Sequence, residues 1–176
     1  MADTFDIALV RVDNRLVHGQ ILEAWVPYTK AQNIIIVNDN VASDFYCETV
    51  IRMAVPSEVE VIISPVEEFA KNYSYSHHNG GKKTIVLFSS IADASRAYHL
   101  GFHFDKLNIG NIYNEDYKLC CAPSVFLCAD EIQTIEKLIK EEGVTIELKR
   151  VPRERAVEFE KVLKEYDKKS PKKAGI

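Results

Sequence analysis

The chain has no apolar run approaching the ~20 residues that span a bilayer, no glycine-rich nucleotide loop and no C-x-x-C pair. The first absence excludes a transmembrane helix. The second, covering both G-x-G-x-x-G and G-x-x-x-x-G-K-[ST], counts against a nucleotide-binding module. None of the four cysteines, Cys47, Cys120, Cys121 and Cys128, has a partner histidine at zinc-finger spacing, so reduced packing residues are expected and no metal. Positive charge is not in excess: 22 Lys and Arg face 26 Asp and Glu, for a net charge of −4. Nothing therefore draws the chain toward nucleic acid or an anionic membrane. No basic segment followed by an apolar stretch opens it, which predicts a cytoplasmic protein without direct membrane insertion.

What is present is a folded pattern. Apolar residues make up 47% of 176, enough for one domain with a full core. We expect a single domain over residues 1–167 and a disordered lysine-rich tail over 168–176. Apolar strands are expected at 5–10, 33–37, 59–63, 84–88, 106–109, 125–128 and 144–149. Helical patterns alternate with them: one near Ile21 interrupted by Pro27, one over 43–54 with Tyr46, Val50, Met53 and Ala54 on one face, and one from Ser64-Pro65-Val66-Glu67. Further helices open at Ser90-x-x-Asp93, Asp130-x-x-Gln133 and Pro152, while residues 111–121 read as irregular. The alternation predicts an α/β fold: a mostly parallel central sheet of about seven strands with helices on both faces. His77, His78 and Gly80 read as a polar surface loop.

The informative stretch is Arg11-Val12-Asp13-Asn14-Arg15-Leu16-Val17-His18-Gly19-Gln20. It joins the first strand to the first helix. Amide N–H groups at a helix start favour an anion, and arginine forks match phosphate oxygens. Gly19 permits a tight turn and close approach. One imidazole in such a cradle points to phosphoryl chemistry on His18, supported by Arg11, Asp13, Arg15, Gly19 and Gln20. Either arginine could instead anchor the loop, and Asp13 suits holding an arginine better than acting as a base. Asp39, Ser89, Ser90 and Gly110 also follow strands, so their loops can line one crevice with His18. Trp25 and Tyr28 are open between a docking rim and, for Trp25, the core.

The motif Arg11-x-Asp13-x-Arg15-Leu16-x-His18-Gly19-Gln20 resembles the active-site stretch of IIB components of the mannose/fructose/sorbose-type sugar phosphotransferase system. Trp25-Val26-Pro27, Ile35-Ile36-Val37-Asn38-Asp39, Leu107-Asn108-Ile109-Gly110 and the Gly143-Val144 to Pro152 stretch extend the resemblance across residues 5–165. It implies a seven-stranded sheet and a protein–Nπ-phosphohistidine–sugar phosphotransferase. In that scheme a IIA domain donates phosphate to Nδ1 of His18, and a hexose held by membrane IIC and IID partners accepts it, without a cofactor. The acidic Asn111–Asp116 stretch departs from relatives that are basic or glycine-rich there, which bears on partner choice. Two other functions stay open: a regulatory phosphoacceptor without a transporter, and a small-ligand-binding α/β module. The sugar and the oligomeric state, a homo-oligomer included, are not fixed by the sequence.

Overall fold

Runs of isoleucine and valine occupy the centre of the sheet, because β-branched side chains suit a pleated surface covered on both faces. The computed structural model describes residues 5–73 and 81–169. Its strands are β1 (Phe5–Asp13), β2 (Asn33–Val37), β3 (Glu60–Ser64), β4 (Lys82–Phe88), β5 (Lys106–Asn111), β6 (Leu119–Ala122), β7 (Val125–Leu127), β8 (Thr145–Leu148) and β9 (Val157–Glu158). A π-helical turn, Ile21–Trp25, leads into α1 (Val26–Thr29). The other helices are α2 (Asp39–Ser43), α3 (Phe45–Ala54), α4 (Val66–Tyr73), α5 (Ile91–His99), α6 (Ala129–Lys140) and α7 (Phe159–Lys169). Among the described residues no helix is long and apolar enough to cross a membrane.

The central sheet has seven strands in the order β3-β2-β4-β1-β5-β8-β9. All neighbours pair in parallel except β8 and β9. β1 is the switch point: β2 and β3 build outward on one side, β4 returns to pair beside β1, and the chain then crosses to begin β5 on the other. The two faces carry separate cores. Ile34, Ile36, Ile85 and Leu87 pack with Leu16, Ile21 and Trp25 on one face. Ile35, Val37, Val86 and Phe88 pack with α4, α5, α6 and α7 on the other. Alternation along β2 and β4 sorts the side chains between them.

The sequence reading holds for the fold class and departs in several local features. β1 runs three residues past Val10, because Arg11 and Val12 pair with Asn108 and Ile109. The 125–128 strand lies outside the central sheet, paired instead in a β6–β7 hairpin that includes part of the stretch expected to be irregular. Ser64 does not cap α4: it ends β3, and the Asp39 carboxylate accepts from the Val66 amide at 2.8 Å. Ser90 does cap α5, its hydroxyl accepting from the Asp93 amide. At α6 the cap is Cys128 rather than Asp130, with Glu131 reaching back to the Cys128 amide at 2.9 Å. Pro152 sits in a turn closed by Arg150 and Glu154, so α7 starts only at Phe159. The expected 43–54 helix is split at Asp44, whose carboxylate accepts from Tyr46 and Cys47 and starts α3 afresh. The apolar stripe of α3 faces solvent, not the sheet. α7 continues to Lys169, two residues into the expected tail. His77, His78, Gly80 and residues 170–176 lie outside the described residues.

Candidate functional site

The loop after β1 leaves the sheet at its switch point, where an open α/β sheet places its ligands. Asp13 ends the strand, and the Leu16 amide donates back to its carbonyl at 2.9 Å. Leu16 takes φ 55°, a left-handed conformation costly for a leucine. Burial of its side chain against Ile21 and Trp25 offsets that cost. The helical segment starts at Gly19, and the His18 carbonyl accepts from the Ile21 and Leu22 amides. The next turn is π-helical, an irregularity frequent at functional sites, and it buries Ile21 and Trp25. His18 is thus fixed by its own backbone at the head of a buried turn.

Asp13 is the hub. Its side chain is fully buried and meets three cationic or titratable partners: Arg11 Nη2 at 2.9 Å, Arg15 Nε at 3.3 Å and His18 Nε2 at 2.9 Å. The Arg15 amide donates to it as well, at 3.1 Å. Burial alone would raise the Asp13 carboxyl; hydrogen bonding to His18 and the charge of Arg11 outweigh it and hold the group below its ordinary value. An ionised carboxylate at 2.9 Å selects the tautomer with its proton on Nε2. That leaves the lone pair on Nδ1, which accepts a long 3.3 Å bond from the Gln20 amide. The His18 side chain is 16% exposed.

Arg11 is wholly enclosed. Its guanidinium donates to the Asn108 side chain, to the Lys149 carbonyl at 2.8 Å, to the Arg150 carbonyl at 3.1 Å and to Asp13. It also lies over the Trp25 ring, 5.2 Å from the centroid. Burial lowers its pKa, against the opposing pull of Asp13. Trp25 is itself buried, and its indole N–H donates to the Arg150 carbonyl at 2.9 Å. Of the two places open to Trp25 the structure gives it the core; Tyr28 stays exposed. Likewise Arg11, open between phosphate contact and anchorage, is an anchor. Gly110 completes the enclosure, since a Cβ there would overlap the Arg11 guanidinium.

Arg15 has the opposite setting. Its side chain is 44% exposed, with Nη2 reaching Gln20 Oε1 at 3.2 Å. Arg15, Gln20, Gly19 and His18 therefore share the solvent side of the loop, and Asp13, Arg11 and Gly110 lie beneath. The other expected crevice residues are engaged elsewhere: Asp39 with Val66 and Arg96, Ser89 with Asn38, Ser90 with the start of α5. Sequence reasoning missed Asn108 and the carbonyls of residues 149–150 as supports of the site. For Asn108 a signal existed, a carboxamide inside an apolar strand, which must find a partner when buried. Among the described residues no group of three or more His, Cys, Asp or Glu is placed to hold a metal ion. Burial, the largest cause, pushes the Cys121 thiol up to about 12, leaving it inert.

Comparison with known proteins gives one family. The description "PTS system sorbose subfamily IIB component" matches residues 7–174. The "PTS system fructose-specific EIIB component" of Bacillus subtilis is 29% identical over 163 residues, covering 93% of this chain and 99% of that one. The "PTS system mannose-specific EIIAB component" of Escherichia coli K12 is 25% identical over 166 residues, 94% of this chain but 51% of the longer protein. Among solved structures, the IIBSor domain of the sorbose permease from Klebsiella pneumoniae superimposes with a TM-score of 0.80 at 29% identity. That match covers 91% of this chain and 97% of the other.

Proposed function

This chain belongs to the sorbose-subfamily IIB components of the sugar phosphotransferase system, and from that premise we propose that His18 is its phosphoryl carrier, acting through Nδ1. As a IIB component the chain is a phosphotransferase of sugar uptake. The observation that carries the residue assignment is the 2.9 Å bond between His18 Nε2 and buried Asp13. It commits one ring nitrogen to a proton and frees the other.

The first step is an in-line transfer. The Nδ1 lone pair forms a bond to phosphorus as the donor's own N–P bond breaks, its electron pair returning to the donor nitrogen. His18 then carries both a phosphoryl group and the Nε2 proton, so the ring is cationic. Asp13 stabilises that charge and keeps the proton in place, which makes the ring a good leaving group for the next transfer. In that step a sugar hydroxyl oxygen attacks phosphorus, the Nδ1–P bond breaks, and the hydroxyl proton passes to solvent. Such reactions need mostly positioning and charge stabilisation. Arg15 and the Gly19 and Gln20 amides supply donors to the phosphoryl oxygens, and Arg11 holds Asp13.

The donor in this proposal is a phosphohistidine IIA domain, and the acceptor a hexose bound by membrane IIC and IID partners, with the chain working in the cytoplasm. The name of the longer E. coli relative joins IIA to IIB, which supports that donor. The test is incubation with a phosphorylated IIA domain and scoring of acid-labile label. Wild type takes up one phosphoryl group, and His18→Ala takes up none while keeping its circular dichroism. Label retained at His99 or His103 in the variant contradicts the assignment.

A further inference from the structure

Helix α3 is amphipathic in the wrong direction for a packed helix. Tyr46, Val50 and Met53 stand at i, i+4 and i+7, the spacing of a core-facing stripe. Yet Tyr46 is 77%, Val50 49% and Met53 82% exposed, with Phe45 at 83% beside them. Cys47 and Ala54 extend the stripe and are exposed as well. The outward orientation is fixed from behind: Ile51 is partly buried against the sheet, and Arg52 donates to the Val61 carbonyl at 2.6 Å and to Glu48. Asp44 fixes the first turn by accepting from the Tyr46 and Cys47 amides. Single exposed apolar residues need no explanation, but a contiguous stripe along a whole helix does.

We propose that this stripe packs against the same stripe of a second copy of the chain, the two α3 helices antiparallel about a two-fold axis near Val50. Three observations choose that occupant. The stripe is uncharged, Glu48 and Arg52 being paired with each other off its edge, so a fitting surface must be neutral and apolar too. A second copy offers such a surface. The stripe is also self-complementary in length: with the axis near Val50, Tyr46 of one copy meets Met53 of the other, ring against thioether. Finally, the area suffices. Three large side chains exposing on the order of 150 Å² each, with Val50, bring the pair to on the order of 1,000 Å², the lower bound of a specific interface. Interfaces near that lower bound belong to the weak, transient class, so a concentration-dependent dimer is expected. The inference does not rest on the phosphocarrier assignment, because it is read from molecular mass.

The experiment is sedimentation velocity on the full chain from about 5 to about 200 μM, the range that brackets a micromolar dissociation constant. Wild type is expected to shift from monomer to dimer across it. Val50→Glu is expected to stay monomeric with an unchanged Tm and unchanged phosphoryl uptake, since that side chain is exposed and takes no part in the hydrogen bonds around His18. In a background with both exposed cysteines replaced, Cys47→Ser and Cys120→Ser, Val50→Cys is expected to form a disulfide-linked dimer under mild oxidation, and the background alone is not. Monomeric wild type at the highest concentration overturns the proposal. So does a Val50→Glu protein that still dimerises, or a Val50→Cys protein that cross-links no faster than its parent. If wild type is monomeric and Val50→Glu slows transfer from the phosphodonor, the stripe receives the donor domain instead and the two-fold arrangement fails.

Discussion

Arg11, near the end of β1, and Arg15, in the loop that follows, stand four residues apart and live in opposite surroundings. Arg11 has no exposure, and its two terminal nitrogens donate to Asn108, two carbonyls and Asp13. The Arg15 side chain is 44% exposed and hydrogen-bonds to Asp13 and Gln20. Both bind the same carboxylate, from below and from above. The difference separates two tasks that one residue type can perform. A buried arginine fixes the Asp13 carboxylate and is inaccessible to a ligand; a surface arginine can swing to an incoming phosphoryl group. Substitutions at the two positions should fail in different measurements, stability for Arg11 and rate for Arg15.

The largest effect is expected for Arg11→Met. It takes from the buried Asp13 carboxylate its only fully buried cationic partner among the described residues, and leaves Asn108 Oδ1 and the Lys149 carbonyl without the guanidinium donor, a loss of about 3–5 kcal/mol. In a chain of this size that lowers Tm by roughly 10 °C, measurable by calorimetry. Gly110→Ala should cost somewhat less, about 2–4 kcal/mol, because its Cβ collides with a guanidinium that cannot move aside. The two losses should be strongly non-additive in a double-mutant cycle. Additive losses would mean that Gly110 is needed for some other reason.

Arg15→Gln should leave Tm within about 1 kcal/mol of wild-type stability and slow phosphoryl uptake roughly ten- to a hundred-fold. That is the worth of about 1.5–3 kcal/mol for one charge-assisted bond made in the transition state. Arg15→Lys keeps the charge without the fork and should fall between. If both Arg15 variants melt as early as Arg11→Met, the division of labour is wrong. The smallest effect concerns pH. Asp13 is held below its ordinary value, so its contribution to stability is fully present above the unfolded carboxyl pKa of about 3.9. It is lost as pH falls through the lower folded value. Acid unfolding of Asp13→Asn should therefore show a shallower slope below pH of about 4 than wild type.

Much of this was legible in the chain itself. The alternation of apolar strands with capped helices carries the α/β class, because period 2 and period 3.6 are written in consecutive residues. The His18 loop was legible for the same reason, its parts lying within ten positions. What escaped depended on residues far apart in sequence. Nothing near Arg11 reveals that Asn108 and the carbonyls of Lys149 and Arg150 will enclose it. Ser64-Pro65-Val66-Glu67 has the spelling of a capping box, yet Asp39, far upstream, supplies the bond. The Tyr46-Val50-Met53 stripe has the spacing of a core face, and only the anchoring of Ile51 and Arg52 to β3 decides which side faces in. Pro152 looked like a helix start because the turn made by Arg150 and Glu154 involves side chains, not periodicity.

The account rests on Asp13 holding the Nε2 proton of His18 so that Nδ1 takes the phosphate. Nitrogen-15 and phosphorus-31 NMR of the protein phosphorylated by its IIA donor tests this directly. The prediction is a single phosphohistidine, His18, with phosphorus coupled to Nδ1, and a protonated Nε2 whose signal changes in Asp13→Asn. Phosphorus coupled to Nε2, or no phosphorylation of His18 at all, would contradict it.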